Sequence, residues 1–224
     1  MSQARSRLVP EPEAVRLLSQ YGVPYPEHGL ARSVDDAVRV AESIGYPVVL
    51  KVVSPDLVHK SAAGGVITNL GDAEAVREGY RAIVHSVRGA VAGARIEGVL
   101  VCRQAPEAFE VIVGGLRDPT FGPTVMFGRG GVHAEVHRDV VFRVAPLELR
   151  DAEDMIREME AYPLLAGAGG RTGYDLQDLG ELLMTVSRLL MDHREIGELD
   201  LNPVRLYHKG LLVLDARVVI RDDE

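Results

Sequence analysis

Residues 47–53 read Pro-Val-Val-Leu-Lys-Val-Val, an apolar run with a lysine in its middle. The run is short and rich in β-branched residues, so it reads as a buried strand. A lysine inside such a strand is out of place as packing, because burying an unpaired ammonium is costly. The fold must bring that side chain to an anion, or let its head snorkel to water. A helix precedes the run: Ser33 reads as its N-cap with Asp36 three residues on, and Gly45 ends it. After the run comes a loop over residues 54–66, SPDLVHKSAAGGV, then a short strand over 66–70. Asp72 opens the next helix, which carries Val76, Tyr80, Ile83 and Val87 at helical spacing. An earlier helix over residues 11–21 places Ala14, Val15, Leu17, Leu18 and Tyr21 on one face, with Pro12 in its first turn.

The second half changes character, because strands follow one another through turns. They are expected over 98–104, 109–116, 124–128, 132–137 and 140–145, with a proline- and glycine-bearing turn over 117–123. Such a succession predicts an antiparallel sheet. A helix around Met155 and another over 176–191 follow, the latter with Leu176, Leu179, Leu183, Val186 and Leu190 as a core stripe. Residues 166–170, Ala-Gly-Ala-Gly-Gly, separate the two. A closing hairpin, 198–207 and 211–220, turns at His208-Lys209-Gly210. The sum is an α+β chain with a mixed α/β first lobe, residues 1–100, and a sheet-rich second lobe, residues 101–224. A cleft between two lobes is a favoured ligand site.

Charge narrows the partners. With 33 acidic and 25 basic side chains the net charge is −8, which argues against nucleic acid or an anionic membrane as the main partner. Bound phosphate must then be held by local groups. The single cysteine, Cys102, cannot form an internal disulfide, and no apolar run reaches the ~20 residues of a membrane span. Residues 1–5 lack the apolar stretch that follows in a signal peptide, so a reducing cytoplasm is the expected compartment.

In the 54–66 loop, backbone amides around Gly64 and Gly65 can face phosphate oxygens without side-chain obstruction. The order of residues fits neither a Walker A loop nor the dinucleotide fingerprint. Composition alone leaves a phosphate cradle and a plain surface turn both open. His133 and His137 lie four apart on an expected strand, which is a poor spacing for zinc.

Five stretches carry a resemblance to a known family. They are VVLKVVSPDLVHKSAAGGV, EVIVGGLRDPTFGPTVMFGRGG, FRVAPL, AYPLLAG and ELDLNPVRLYHKGLLVLDARV, in that order along the chain. The sequence resembles the beta subunits, or fused beta domains, of ADP-forming acetyl-CoA synthetases, over nearly all of residues 11–220. The resemblance implies the ATP-grasp fold, shared with succinyl-CoA synthetase, with ATP or ADP bound between two lobes. It makes His59 a transient phosphate carrier on a mobile loop, a task suited to a neutral imidazole near pH ~7. Ala62 departs from the acidic residue expected after Ser61. It sets Lys51 against nucleotide phosphates and puts Val101 and Cys102 in the hinge lining the adenine pocket. Glu110 becomes a nucleotide contact, Asn202 and Asp215 become Mg²⁺ ligands, and Asp200 an acidic group that helps receive the histidine loop. Glu135 and Arg143 rank second, since each reads equally as a sheet-surface charge. A CoA-binding alpha subunit is the implied partner, in a heterotetramer. The implied reaction is that of an acid-thiol ligase: acyl-CoA, ADP and phosphate going reversibly to acid, CoA and ATP. Two other readings stay open on the residues: an ATP-grasp carboxylate-amine or carboxylate-thiol ligase without a phosphohistidine, and a non-catalytic nucleotide-sensing module.

Overall fold

The computed structural model describes residues 6–57, 60–131, 139–169 and 172–221. Along the chain these form β1 (Ser6–Val9), α1 (Glu11–Gln20), β2 (His28–Ala31), α2 (Val34–Ile44), β3 (Val48–Val53), β4 (Val66–Leu70) and α3 (Ala73–Ala90). Then come β5 (Gly98–Arg103), β6 (Phe109–Asp118), β7 (Gly122–Arg129), β8 (Val140–Val144), α4 (Leu149–Glu158) and the single turn α5 (Tyr162–Leu165). α6 (Leu176–Asp192), β9 (Ile196–Leu206), β10 (Leu211–Val213) and β11 (Ala216–Arg221) complete the order. The α+β class is as expected. Two compact units emerge, one of residues Pro26–Pro106 and one that takes the chain up to Tyr25 and again from Glu107.

The unit of residues Pro26–Pro106 is a four-stranded antiparallel sheet in the order β2-β5-β3-β4, with α2 and α3 packed on one face. Its helices start where the sequence says they should. The Ser33 hydroxyl accepts from the Asp36 amide at 3.1 Å, and the Asp72 carboxylate from the Ala75 amide at 2.8 Å. Each satisfies an amide that a helix start leaves without an intrahelical partner. Gly45 ends α2 with a φ of 87°, a conformation that costs glycine nothing. Val38, Ile44, Val76, Ile83 and Val87 meet Val48, Leu50, Val52, Val99 and Val101 in the core.

The other unit holds a seven-stranded antiparallel sheet, β1-β11-β9-β6-β7-β8 with β10 also on β9. α1, α4 and α6 supply its apolar cover, with Leu179, Leu183, Val186 and Leu190 of α6 against Val113, Phe127, Leu199 and Leu201 of the sheet. Each fully buried leucine contributes about 2 kcal/mol of transfer free energy. Gly115 lets α6 approach: a Cβ there would lie 2.7 Å from a Leu190 methyl carbon. Arg117 closes the far end of α6, its Nη2 donating to the Leu190 and His193 carbonyls at 2.5 and 3.1 Å.

The expected division at residue 100 is corrected in two ways. β5 is not the first strand of the large sheet but a central strand of the small one, pairing with both β2 and β3. Residues 6–25 belong with the second half of the chain, because β1 completes the large sheet against β11 and α1 packs beside it. The period-two and helical patterns identify elements but do not say which sheet a strand joins. β1, β2 and α5 are too short to read from pattern. The strand expected over 132–137 lies outside the described residues. Among the described residues no helix is long and apolar enough to cross a membrane.

Asp175 joins the start of α6 to the β9–β10 turn, accepting from the Asp178 amide at 3.1 Å and the Gly210 amide at 2.8 Å. These hydrogen bonds, Gly210's first, hold its carboxyl below the usual range. A pKa lowered in the folded state adds stability above the unfolded value of ~3.9, which is lost as pH falls through the folded value. Asp175→Ala is therefore expected to cost about 1 kcal/mol at neutral pH. The gap to wild type should shrink below about pH 4 in urea titrations; a gap that persists there would contradict this account.

Candidate functional site

In the unit of residues Pro26–Pro106, β3 divides its side chains between two faces. Val48, Leu50 and Val52 enter the helix-side core, so Lys51 lies on the other face with only 7% of its surface exposed. Its register partners are Leu100 on β5 and Val66 on β4. Cys102 shares the face of Lys51 through the pairing with Val49, whereas Val101 points into the helix-side core. Both Val101 and Cys102 sit at paired positions on both sides of β5. Neither therefore presents a simple strand edge to an adenine ring.

His59 lies outside the described residues, as do His133, Glu135 and His137; the flanks of His59 are described. On one side Leu57 is buried in the core, and Asp56 grips Arg95: its Oδ2 accepts from the Arg95 amide at 2.9 Å and Nε at 3.1 Å, its Oδ1 from Nη2 at 2.9 Å. The guanidinium and amide hold the Asp56 carboxyl at about 2. On the other side the loop closes on itself. The Gly64 amide donates to the Ser61 carbonyl at 3.1 Å and the Gly65 amide to the Lys60 carbonyl at 2.8 Å. The two amides expected to cradle phosphate are thus used inside the loop. The glycines answer a steric need instead: Gly64 has a φ of 67°, and a Cβ on Gly65 would fall 2.5 Å from a Val52 methyl carbon.

The other expected residues gather on the large sheet. Register runs Phe142, Met126, Gly114, Asp200, Arg217 across five strands, all on the face opposite α6. Glu110 lies on the same face opposite Arg205, and their side chains pair at 3.0 Å. Asn202 and Asp215 are brought together where β10 gives way to β11, the Asn202 amide donating to the Asp215 carbonyl at 3.1 Å. A cavity of about 590 Å³ opens on this face, lined among others by Ile112, Gly114, Met126, Glu198, Asp200 and Asn202. Burial pushes the Asp200 carboxyl up; Arg217 opposes this, and Glu198 and Asp215 add to it. Negative charge is thus crowded beside an amide oxygen, the donor chemistry of a hard divalent cation. Among the described residues no group of three or more His, Cys, Asp or Glu is arranged for a metal. Mg²⁺ bound with a nucleotide takes only one or two protein carboxylates, so the residues present fit it.

Arg217 and Arg205 also lie on this sheet face, and residue types alone did not single them out. The signal was available in the spacing: Arg217 lies two residues beyond Asp215, the period at which an extended chain brings side chains to one side. Arg143 pairs with Glu158 of α4, the bland alternative for that residue. The Asp56–Arg95 grip also had no motif to announce it. Replacing Arg95 with Ala removes the guanidinium but keeps the backbone amide, so it should raise the Asp56 carboxyl from about 2 part of the way towards ~3.9, read by carbon-detected NMR titration. An unchanged titration would mean that Arg95 does not hold Asp56.

Residues 1–220 match the ATP-grasp domain family. The chain is 44% identical over 219 residues to the acetate–CoA ligase (ADP-forming) I subunit beta of Pyrococcus furiosus, covering 98% of this chain and 94% of that one. It is similar, with a TM-score of 0.93 and 49% identity over 96% of this chain and 94% of the other, to the dinucleotide-forming acetyl-coenzyme A synthetase 1 of Ca. Korarchaeum cryptofilum solved with coenzyme A, Ca-AMPCP and HgCl⁺. A second structure of that synthetase, with coenzyme A and Mg-AMPPCP, has its phosphohistidine segment pointing towards the nucleotide binding site; there the TM-score is 0.82 at 45% identity, over 96% and 93% of the two chains. With its two sheets, its buried strand lysine and its oxygen donors on one sheet face, this chain belongs to the ATP-grasp family, among the beta subunits of ADP-forming acetate–CoA ligases.

Proposed function

We propose that this chain binds ADP or ATP and moves a phosphoryl group between His59 and the nucleotide, as one subunit of an ADP-forming acyl-CoA synthetase acting on acetate or another small acid. The observation that carries this reading is the convergence of Asp200, Asn202 and Asp215 on one face of the large sheet, beside a cavity of about 590 Å³. The P. furiosus relative is a beta subunit, which supports a CoA-binding alpha subunit as partner in a hetero-oligomer; the cytoplasm is the proposed compartment.

In the ATP-forming direction a β-phosphate oxygen of ADP attacks phosphorus on the His59 ring. The new P–O bond forms as the N–P bond breaks, and the freed imidazole nitrogen keeps its electron pair and takes up a proton. Little covalent chemistry is left to the protein, so positioning and charge neutralisation dominate. Lys51 supplies a point charge to phosphate oxygens from a strand whose packing restrains its stem. Asn202 and Asp215 would hold Mg²⁺, which neutralises phosphate charge when bound. Asp200, whose carboxyl burial pushes up, matches the acidic position that in the family helps receive the histidine loop, and that role is assigned to it. On either side of the histidine, Asp56 accepts from the Arg95 amide and the Lys60 carbonyl accepts from the Gly65 amide.

Incubation of the complex with γ-labelled ATP and Mg²⁺ is expected to leave an acid-labile, base-stable phosphate on this chain. His59→Ala should abolish the label, and label retained at the wild-type level would sink the carrier assignment. Lys51→Met should weaken ADP binding by roughly tenfold or more in calorimetry, the loss of a charge-assisted hydrogen bond; an unchanged affinity would remove Lys51 from the phosphate site.

A further inference from the structure

β6 runs through the middle of the large sheet and carries two glycines side by side, Gly114 and Gly115. A glycine inside a strand weakens it, having no side chain to pack, and marks a bulge, a bend or the close approach of another group. Neither of these two has a positive φ, and the pairing with β7 runs unbroken through both, so the backbone does not call for them. Gly115 is accounted for by α6, whose Leu190 leaves no room for a Cβ. Gly114 points the other way, pairing with Met126 on one side and Asp200 on the other. A Cβ there would lie 3.0 Å from the Met126 Cε and 3.3 Å from the Leu199 carbonyl oxygen. The first is the movable end of a flexible side chain, and the second asks for a shift of a few tenths of an ångström. Packing within the sheet therefore tolerates an alanine at this position.

What the missing side chain leaves is space. Gly114 lines the cavity of about 590 Å³ together with Ile112, Met126, Asp200 and Asn202. A divalent cation held beside Asn202 bridges the outer phosphate oxygens of a nucleotide, which brings the end of the phosphate chain to this part of the cavity. Ile112 and Met126 offer that end only apolar surface, and the Asp200 carboxylate repels it. The bare backbone of Gly114, between Met126 and Asp200, is the part of the floor that a tetrahedral phosphoryl group can approach closely.

We infer that Gly114 is a specificity-determining residue: it keeps open the space for the third phosphoryl group, the one exchanged between the nucleotide and His59. A side chain at this position would discriminate against a nucleoside triphosphate while leaving the diphosphate bound. This rests on the proposed reading of the nucleotide and Mg²⁺ site. A glycine kept only for strand packing would change the melting temperature and leave the two nucleotides equally affected.

The test uses the full chain in its complex, with Mg²⁺, and compares ADP with the β,γ-methylene analogue of ATP in calorimetry. Gly114→Ala is expected to weaken the triphosphate analogue by about tenfold, the cost of one overpacked methyl group, with ADP affinity unchanged. Gly114→Val should weaken the analogue further. The pair Gly114→Ala/Met126→Ala, compared with Met126→Ala alone, removes the methyl that the new Cβ would meet and decides the matter if the single variants do not fold. Gly115→Ala is the control for a strained strand: its Cβ would lie 2.7 Å from a Leu190 methyl carbon, so it should lower the melting temperature and leave the ratio of the two affinities as in wild type. Equal losses for both nucleotides at Gly114, no loss for either, or the same change of ratio in Gly115→Ala would each overturn the inference and leave the nucleotide site standing. If the wild-type complex binds neither nucleotide in Mg²⁺, the nucleotide reading itself is wrong and the inference falls with it.

Discussion

The structure of the larger unit depends on the antiparallel register of β9 against β6 and β11. β9 reads Glu198, Leu199, Asp200, Leu201, Asn202, and a strand sends alternate side chains to opposite faces. Leu199 and Leu201 are essentially buried under α6, which fixes the strand's orientation through hydrophobic transfer. Glu198, Asp200 and Asn202 are then forced to the other face. A slip of one residue would bury the carboxylates and expose the leucines. Packing of the core and presentation of the polar face are therefore one constraint, and the chemistry inherits its geometry from the leucines.

That constraint crowds like charges. Asp200 lies between Gly114 and Arg217 in the register, and Glu198 and Asp215 are near enough to raise its pKa further. Arg217 offsets part of the cost, pairing with Glu198 at 3.1 Å. An unfavourable concentration of carboxylates on a rigid sheet is a standing demand for a cation, and a rigid sheet does not relax to dissipate it. In the smaller unit one buried lysine stands on the face of β3 away from the helices, its backbone paired with β4 and β5.

Backbone hydrogen-bond accounting explains the residues with the least chemistry of their own. Gly64 and Gly65 spend their amides on closing the loop after His59, and their lack of a Cβ lets that loop lie on Val52. Pro203 has no N–H to give the strand beside Asp215, and its carbonyl accepts from the Leu214 amide at 2.9 Å. In both places the backbone next to a residue that the family likeness marks is held by groups that no motif would mark.

Sequence alone determined the elements with strong local signals, because caps, apolar periodicity and glycine stops act within a few residues. α2, α3 and α6 and the buried strand β3 followed from Ser33, Asp72, the leucine stripe and the valine run. It also named the oxygen donors Asp200, Asn202 and Asp215, through the likeness of residues 198–218 to a known family. It did not determine that β5 sits inside the small sheet or that β1 and α1 belong with the distant C-terminal half, since strand partners are chosen by long-range pairing that alternation cannot specify. Nor did it reveal that the glycine-pair amides are already used, that Glu110 is engaged by Arg205, or that Tyr25 meets Leu214 across 189 positions. Those outcomes turn on which donor lies within about 3 Å of which acceptor, a distance only the tertiary structure decides.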